Sequence, residues 1–326
     1  MSSRPKLLIL ELWGLGDLAI ASRFLEKASE KYDVTLLAKP YAHDLQQKLW
    51  PQVKVIDFIA PWTAFKGKYQ LHRWPWRRVL ATLRQLRKEK FDIAASGRWD
   101  PRDHAWMRLT GARKRIGFPR SGSNLLLTRS LTIPGDLCHR YDQWRTLGKA
   151  LDLDIPDWKQ NDSTKAERSP IEHVVMHTGA AQPVRVWSLE GYASLLEHLE
   201  KRRMEVSLIC DASQTSFWEE KGRKPSVPST VSELIQRLSE GEAFIGNDSG
   251  PGHLAAALKK PTFTIFGPQR TEWFRPAHPL GMVVEGKDCP QKPCFDSCQF
   301  DTPHCMTGVT QKEVMEHLEK FLEQFP

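Results

Sequence analysis

The chain has no long apolar run. None approaches the roughly 20 residues that span a bilayer core, and residues 1–12 lack the basic head, long apolar stretch and small-residue cleavage site of a secretory signal. These absences lead us to expect a cytoplasmic protein. No zinc-finger, helix-turn-helix or RNA-binding signature accompanies the basic residues, so nucleic acid is not an expected partner. A G-x-G-x-x-G fingerprint is missing as well: the first glycine turn reads WGLGD, which weighs against an NAD-dependent dehydrogenase. No internal repeat or low-complexity tract interrupts the 326 residues, a length that accommodates two α/β domains with separate cores.

Acidic residues are scarce in one place. Residues 61–90 carry nine Lys or Arg against Glu89 alone, in a chain with a formal net charge of +8. Trp62, Trp74 and Trp76 lie among these cations. Such a mixture suits the headgroup level of an anionic membrane or an acidic glycolipid. The plainer reading is a solvated basic helix with tryptophans packed beneath it.

Strand and helix patterns alternate along the chain. Leu7 to Leu12, Val34 to Ala38, Val53 to Phe58 and Phe91 to Ala95 read as buried strands, with helices over Asp17 to Ala28 and Arg77 to Glu89. This order predicts parallel pairing. Ile155 to Pro170 is polar and turn-rich and reads as a linker, dividing an N-terminal domain (1–160) from a C-terminal one (161–326). Beyond it, strands are expected at His173 to His177, Val206 to Cys210, Ala243 to Gly246 and Thr262 to Phe266. Helices are expected at Leu189 to Arg202 and, capped by Thr310, up to Phe325.

Two glycine turns stand out. LWGLGD follows the first strand and opens a helix, and IGNDSGPGHLAAA does the same in the second half. A turn of this kind presents backbone N–H groups and a positive helix end to phosphate.

With LWGLGDLAIA, HTGAAQPVRVWSLEGYASLLEHL, GNDSGPGHLAAALKKPTFTIFGP and CPQKPCFDSCQFDTPHCM in this order, the chain resembles the lipopolysaccharide heptosyltransferases of glycosyltransferase family 9. The resemblance runs over nearly the whole chain. It implies an α/β GT-B fold, two Rossmann-like domains facing a central cleft, with acceptor on the N-terminal domain and nucleotide sugar on the C-terminal one. It also implies an inverting, metal-independent transfer of heptose from ADP-heptose to an anionic inner-core lipopolysaccharide at the cytoplasmic face of the inner membrane. Two alternatives remain: a transferase of the same fold using another nucleotide sugar, and a non-catalytic nucleotide-binding scaffold at the membrane.

The resemblance assigns Asp17 as the base that takes the acceptor proton; as a bare pattern, Asp17 reads first as a helix cap. Ser249, Gly250 and His253 are expected at the donor diphosphate, with Arg185 as a fixed cation. Here the chain departs from the commoner family pattern, reading His177-Thr178-Gly179-Ala180 and Arg185-Val186-Trp187. Asp248 either orients its turn or takes a sugar hydroxyl, Asp211 is a candidate ribose ligand, and Trp187 reads as packing. Lys66, Arg73, Arg77, Arg98 and Arg120 are candidate partners for acceptor carboxylates or phosphates.

Cys289, Cys294, Cys298 and Cys305 fall within seventeen residues. Four thiolates suit structural zinc or an iron–sulfur cluster, although the spacings match neither a zinc ribbon nor a ferredoxin run. Free thiols and, less suited to a reducing compartment, disulfides are the other readings.

Overall fold

The computed structural model describes residues 4–64, 69–160, 167–287 and 289–326. It divides into two compact units, Met1–Pro156 and Asp157–Pro326, each a parallel sheet flanked by helices. Together they form a GT-B-like fold of two Rossmann-like domains.

In the first unit the strands are β1 (Lys6–Leu10), β2 (Asp33–Ala38), β3 (Lys54–Asp57), β4 (Ile93–Ser96), β5 (Lys114–Gly117) and β6 (Arg129–Ser130). Their order is β3-β2-β1-β4-β5-β6, all parallel. β1 is central and fully apolar at Leu7 to Leu10 because helices cover both faces of such a sheet. Its core joins Leu8 and Leu10 to Leu37, Phe58, Trp62 and Trp106.

The expected first helix is two: Leu15–Ile20 and Ser22–Lys31, broken at Ala21. Ser22 Oγ donates back to Leu18 O at 3.3 Å and accepts from Trp50 Nε1, a back-bond that bends helices. In this unit the sequence reading left out β5, the short β6, the helices Ala42–Leu49 and Arg140–Ala150, and the helix Pro101–Leu109. The GRWDPR turn starts that helix: Asp100 Oδ1 accepts from Arg102 N at 2.9 Å and Pro101 occupies the first helical position.

The second unit holds β7 (His173–His177), β8 (Glu205–Ile209), β9 (Ala243–Asn247), β10 (Thr262–Phe266) and β11 (Met282–Glu285) in the order β11-β10-β9-β7-β8, again parallel. Ser188 caps the helix Leu189–Lys201, and Thr310 with Glu313 forms a capping box on Gln311–Leu322. Val314, Leu318 and Phe321 of that last helix enter the core beside Phe263 and Ile265.

The basic helix spans Trp76–Glu89 and buries Val79, Thr82 and Leu86. Of the three tryptophans placed among its cations, Trp62 is a core residue packed at tilted angles against Phe58, Trp74 and Trp106, whereas Trp76 stays exposed. Among the described residues no helix is long and apolar enough to cross a membrane.

Candidate active site

Parallel sheets bind ligands at the carboxyl ends of strands where the strand order reverses. Here those points lie between β1 and β4 in one unit, and between β7 and β9 in the other. Both glycine turns noted in the sequence sit there.

In the first unit β1 runs out through Glu11, Leu12 and Trp13 to Gly14, whose extended backbone opens the helix Leu15–Ile20. Asp17 caps that helix with one oxygen, Oδ2, which accepts from Gly14 N at 3.2 Å. Its Oδ1 lies 3.7 Å from Arg140 Nε, too long for a hydrogen bond, so the coupling is electrostatic. The Asp17 side chain keeps 20% of its exposure while Arg140 keeps 1%. Burying a guanidinium requires compensation, and Arg140 has it in Glu11 at 3.4 Å, in Gly97 O and Gln143 Oε1, and in the ring of Trp13 at 4.7 Å.

Of the acceptor cations read from sequence, Arg98 joins this cluster. It is buried, pairs with Asp100 at 3.2 Å and Asp103 at 3.3 Å, and lies 4.5 Å over Trp13. Its Nη1 has no hydrogen-bond partner among the described residues. Arg73, Arg77 and Arg120 are exposed on separate turns and helices, and Lys66 lies outside the described residues. Burial pushes Asp103 up to about 6 against the pull of Arg98, and pushes Glu11 up to about 7. Lys39 is held below its ordinary range, chiefly by burial.

In the second unit β9 ends at Asn247, whose side-chain amide donates to Thr178 O and Gly179 O and whose Oδ1 accepts from Trp187 N. This clamp ties the two glycine-bearing loops together. Asp248 is 2% exposed and accepts from Arg185 Nη1 at 3.2 Å, so it orients the cation. Ser249 stands at the cap of the helix Gly250–Ala257, with its hydroxyl donating to Asn247 O, and His253 is buried one turn on. Asp211 accepts from Ala180 N at 3.0 Å and opens a short 3-10 turn; it organises the loop beside Gly179. Trp187 is buried, donates to Val309 O and packs on Tyr192.

Arg185 meets a further carboxylate. Asp296 binds it bidentately, Nε to Oδ1 at 2.6 Å and Nη2 to Oδ2 at 2.8 Å. Asp296 comes from the cysteine-bearing segment, and that segment corrects an expectation. Cys289, Cys294, Cys298 and Cys305 line one small cavity, yet they are free thiols, and among the described residues no group of three or more His, Cys, Asp or Glu is placed to hold a metal ion. Neither zinc nor an iron–sulfur cluster fits. Burial raises the Cys305 thiol above its ordinary value, with Lys292 pulling it down and the neighbouring sulfurs adding to the rise.

A family model described as glycosyltransferase family 9 (heptosyltransferase) matches residues 79–303. The chain belongs to glycosyltransferase family 9. Lipopolysaccharide heptosyltransferase 3 of Escherichia coli (strain K12) is 30% identical over 146 residues, 41% of this chain and 38% of that one. The chain thus matches well under half the length of this curated relative. Among solved structures, the glycosyl transferase family 9 protein from Veillonella parvula aligns over 99% of both chains with TM-score 0.74 at 15% identity. The E. coli heptosyltransferase WaaC with ADP-2-deoxy-2-fluoro heptose aligns over 97% of this chain and 99% of that one, with TM-score 0.72 at 16% identity.

Three charged residues of this family 9 chain escaped the sequence reading: Glu11, Arg140 and Asp296. Glu11 had a signal, since a lone carboxylate within the apolar run LLILEL is buried and in need of a partner. Arg140 and Asp296 had none, because their oppositely charged partners lie more than a hundred residues away.

Proposed function

We propose that this family 9 protein is an inverting glycosyltransferase that moves heptose from ADP-heptose to an anionic inner-core lipopolysaccharide acceptor. The observation that carries the reading is the placement of Asp17, a partly exposed carboxylate at the switch point of the first sheet beside the buried cation Arg140. The ADP-heptose analogue named with the E. coli relative supports the donor.

In the proposed reaction the acceptor hydroxyl attacks the anomeric carbon from the face opposite the diphosphate. The new C–O bond forms as the bond to phosphate breaks, ADP leaves with the electron pair, and the hydroxyl proton passes to Asp17 Oδ1. Charge growing on the diphosphate is met by Arg185, the N–H groups at the start of the helix Gly250–Ala257, Ser249 and His253. Asp211, already accepting from Ala180 N, offers its remaining lone pairs to the ribose. Arg98, buried and paired with Asp100 and Asp103, supports the Asp17 turn from behind, and the acceptor's anions are left to exposed cations such as Arg73, Arg77 and Arg120. Exposed Trp76 and Leu80 among Arg77, Arg84 and Lys88 suit a peripheral contact with anionic lipid.

The test is mass-spectrometric transfer to a heptose-free, Kdo-containing lipid with ADP-heptose as donor, comparing native protein with Asp17→Ala. A heptose mass increment from native protein alone supports the reading. No increment from folded native protein removes this donor and acceptor pair.

A further inference from the structure

Arg140 lies between two carboxylates of one strand-to-helix turn. Its Nη2 is 3.4 Å from Glu11 Oε2 and its Nε 3.7 Å from Asp17 Oδ1. The other oxygen of each acid is held by main chain: Glu11 Oε1 accepts from Trp13 N at 3.1 Å, and Asp17 Oδ2 from Gly14 N at 3.2 Å. Glu11 is 2% exposed, so the inner acid is shielded from any substrate while the outer one is reachable. The charged groups facing Glu11 are Arg140, Asp17, Arg98 after β4 and Lys39 after β2; the Tyr41 phenol donates to Trp13 O beside them.

We propose that Glu11 is a positioning residue that sets the basicity of Asp17 through the shared guanidinium of Arg140. This rests on Asp17 being the base. When Glu11 is ionised, Arg140 divides its charge between two carboxylates and Asp17 holds a proton more readily. When Glu11 is protonated, Arg140 serves Asp17 alone, and the weaker base slows proton removal from the acceptor. Burial, with the like charge of Asp17 adding to it, raises Glu11 to about 7, and Arg140 and Arg98 oppose the rise. The changeover therefore falls in the neutral range.

Glu11→Gln mimics the protonated state. Native turnover with ADP-heptose and the Kdo-containing lipid is expected to climb about three- to five-fold from pH 6 to pH 8 as Glu11 ionises and Asp17 becomes the stronger base. The variant should stay at the lower level with that rise flattened. A purely structural role would lower the variant evenly and leave the rise intact, and that result overturns the proposal.

A second measurement does not depend on turnover. In protein carrying ¹³C-labelled glutamate carboxyls, Glu11 should titrate in the neutral range and shift down by about one unit in Asp17→Asn, because a like charge has gone. A Glu11 titration that ignores Asp17 overturns the coupling. Absence of native turnover, with the coupled titration present, counts against the transfer reading and not against the Glu11–Asp17 link.

Discussion

Asp296 grips Arg185 side-on across 111 residues of chain, with both carboxylate oxygens engaged at 2.6 and 2.8 Å. Arg185 is the cation expected to meet the donor diphosphate, so the cysteine-bearing segment places an anion where a phosphate is expected. The pair is largely shielded from solvent, at 24% and 15% side-chain exposure, and a bidentate arginine–carboxylate contact is among the stronger charge-assisted bonds.

On the donor reading, Asp296→Asn removes an anion that diphosphate has to displace. ADP is expected to bind about ten-fold tighter by titration calorimetry, with Asp248 still orienting Arg185 at 3.2 Å. Weaker binding by the folded variant would show instead that Asp296 is needed to hold the guanidinium in place.

Gly179 makes room for Asp211. A Cβ on Gly179 would fall 2.3 Å from the Asp211 carboxyl, so Gly179→Ala must swing that side chain away and strip Ala180 N of its acceptor. The expected cost is about 1–3 kcal/mol in denaturant unfolding. Combining it with Asp211→Ala should cost less than the sum of the two changes, and strict additivity would break the link.

Stability should carry a pH signature from Asp103. Burial raises its carboxyl from 3.8 to about 6, with Arg98 pulling the other way, and Trp62 Nε1 donates to it at 3.0 Å. A raised acid favours the folded state fully below about pH 4 and loses that contribution as pH rises through 6. Relative to Asp103→Asn, native protein should therefore lose up to about 3 kcal/mol between pH 4 and pH 7. Melting of both proteins across this range checks the sign. A native protein that gains on the variant as pH rises contradicts the assignment.

The elements that sequence made legible are those with a local cause. Leu7 to Leu10 is an apolar run of strand length, and Thr310 followed by Glu313 is a capping box visible as three-residue spacing. The glycines before Asp17 and around Ser249 mark strand-to-helix turns. β5 and β6 were missed because Lys114, Arg115 and Arg129 break the apolar pattern that signals a buried strand. The break at Ala21 was missed because it comes from the Ser22 back-bond and a contact with Trp50.

Propensity, periodicity and turn geometry act over a few residues, so the alternation of strands and helices, the family and the two turns at which chemistry is to be sought can be read along the chain. Which charges meet depends on the folded sheets. Arg140 reaches Glu11 across 129 residues and Arg185 reaches Asp296 across 111, distances closed only when the sheets assemble. The cysteines follow the same rule: four sulfurs close in sequence line one cavity, yet among the described residues no three ligand side chains are placed to hold a metal ion, because ligation depends on direction as well as proximity.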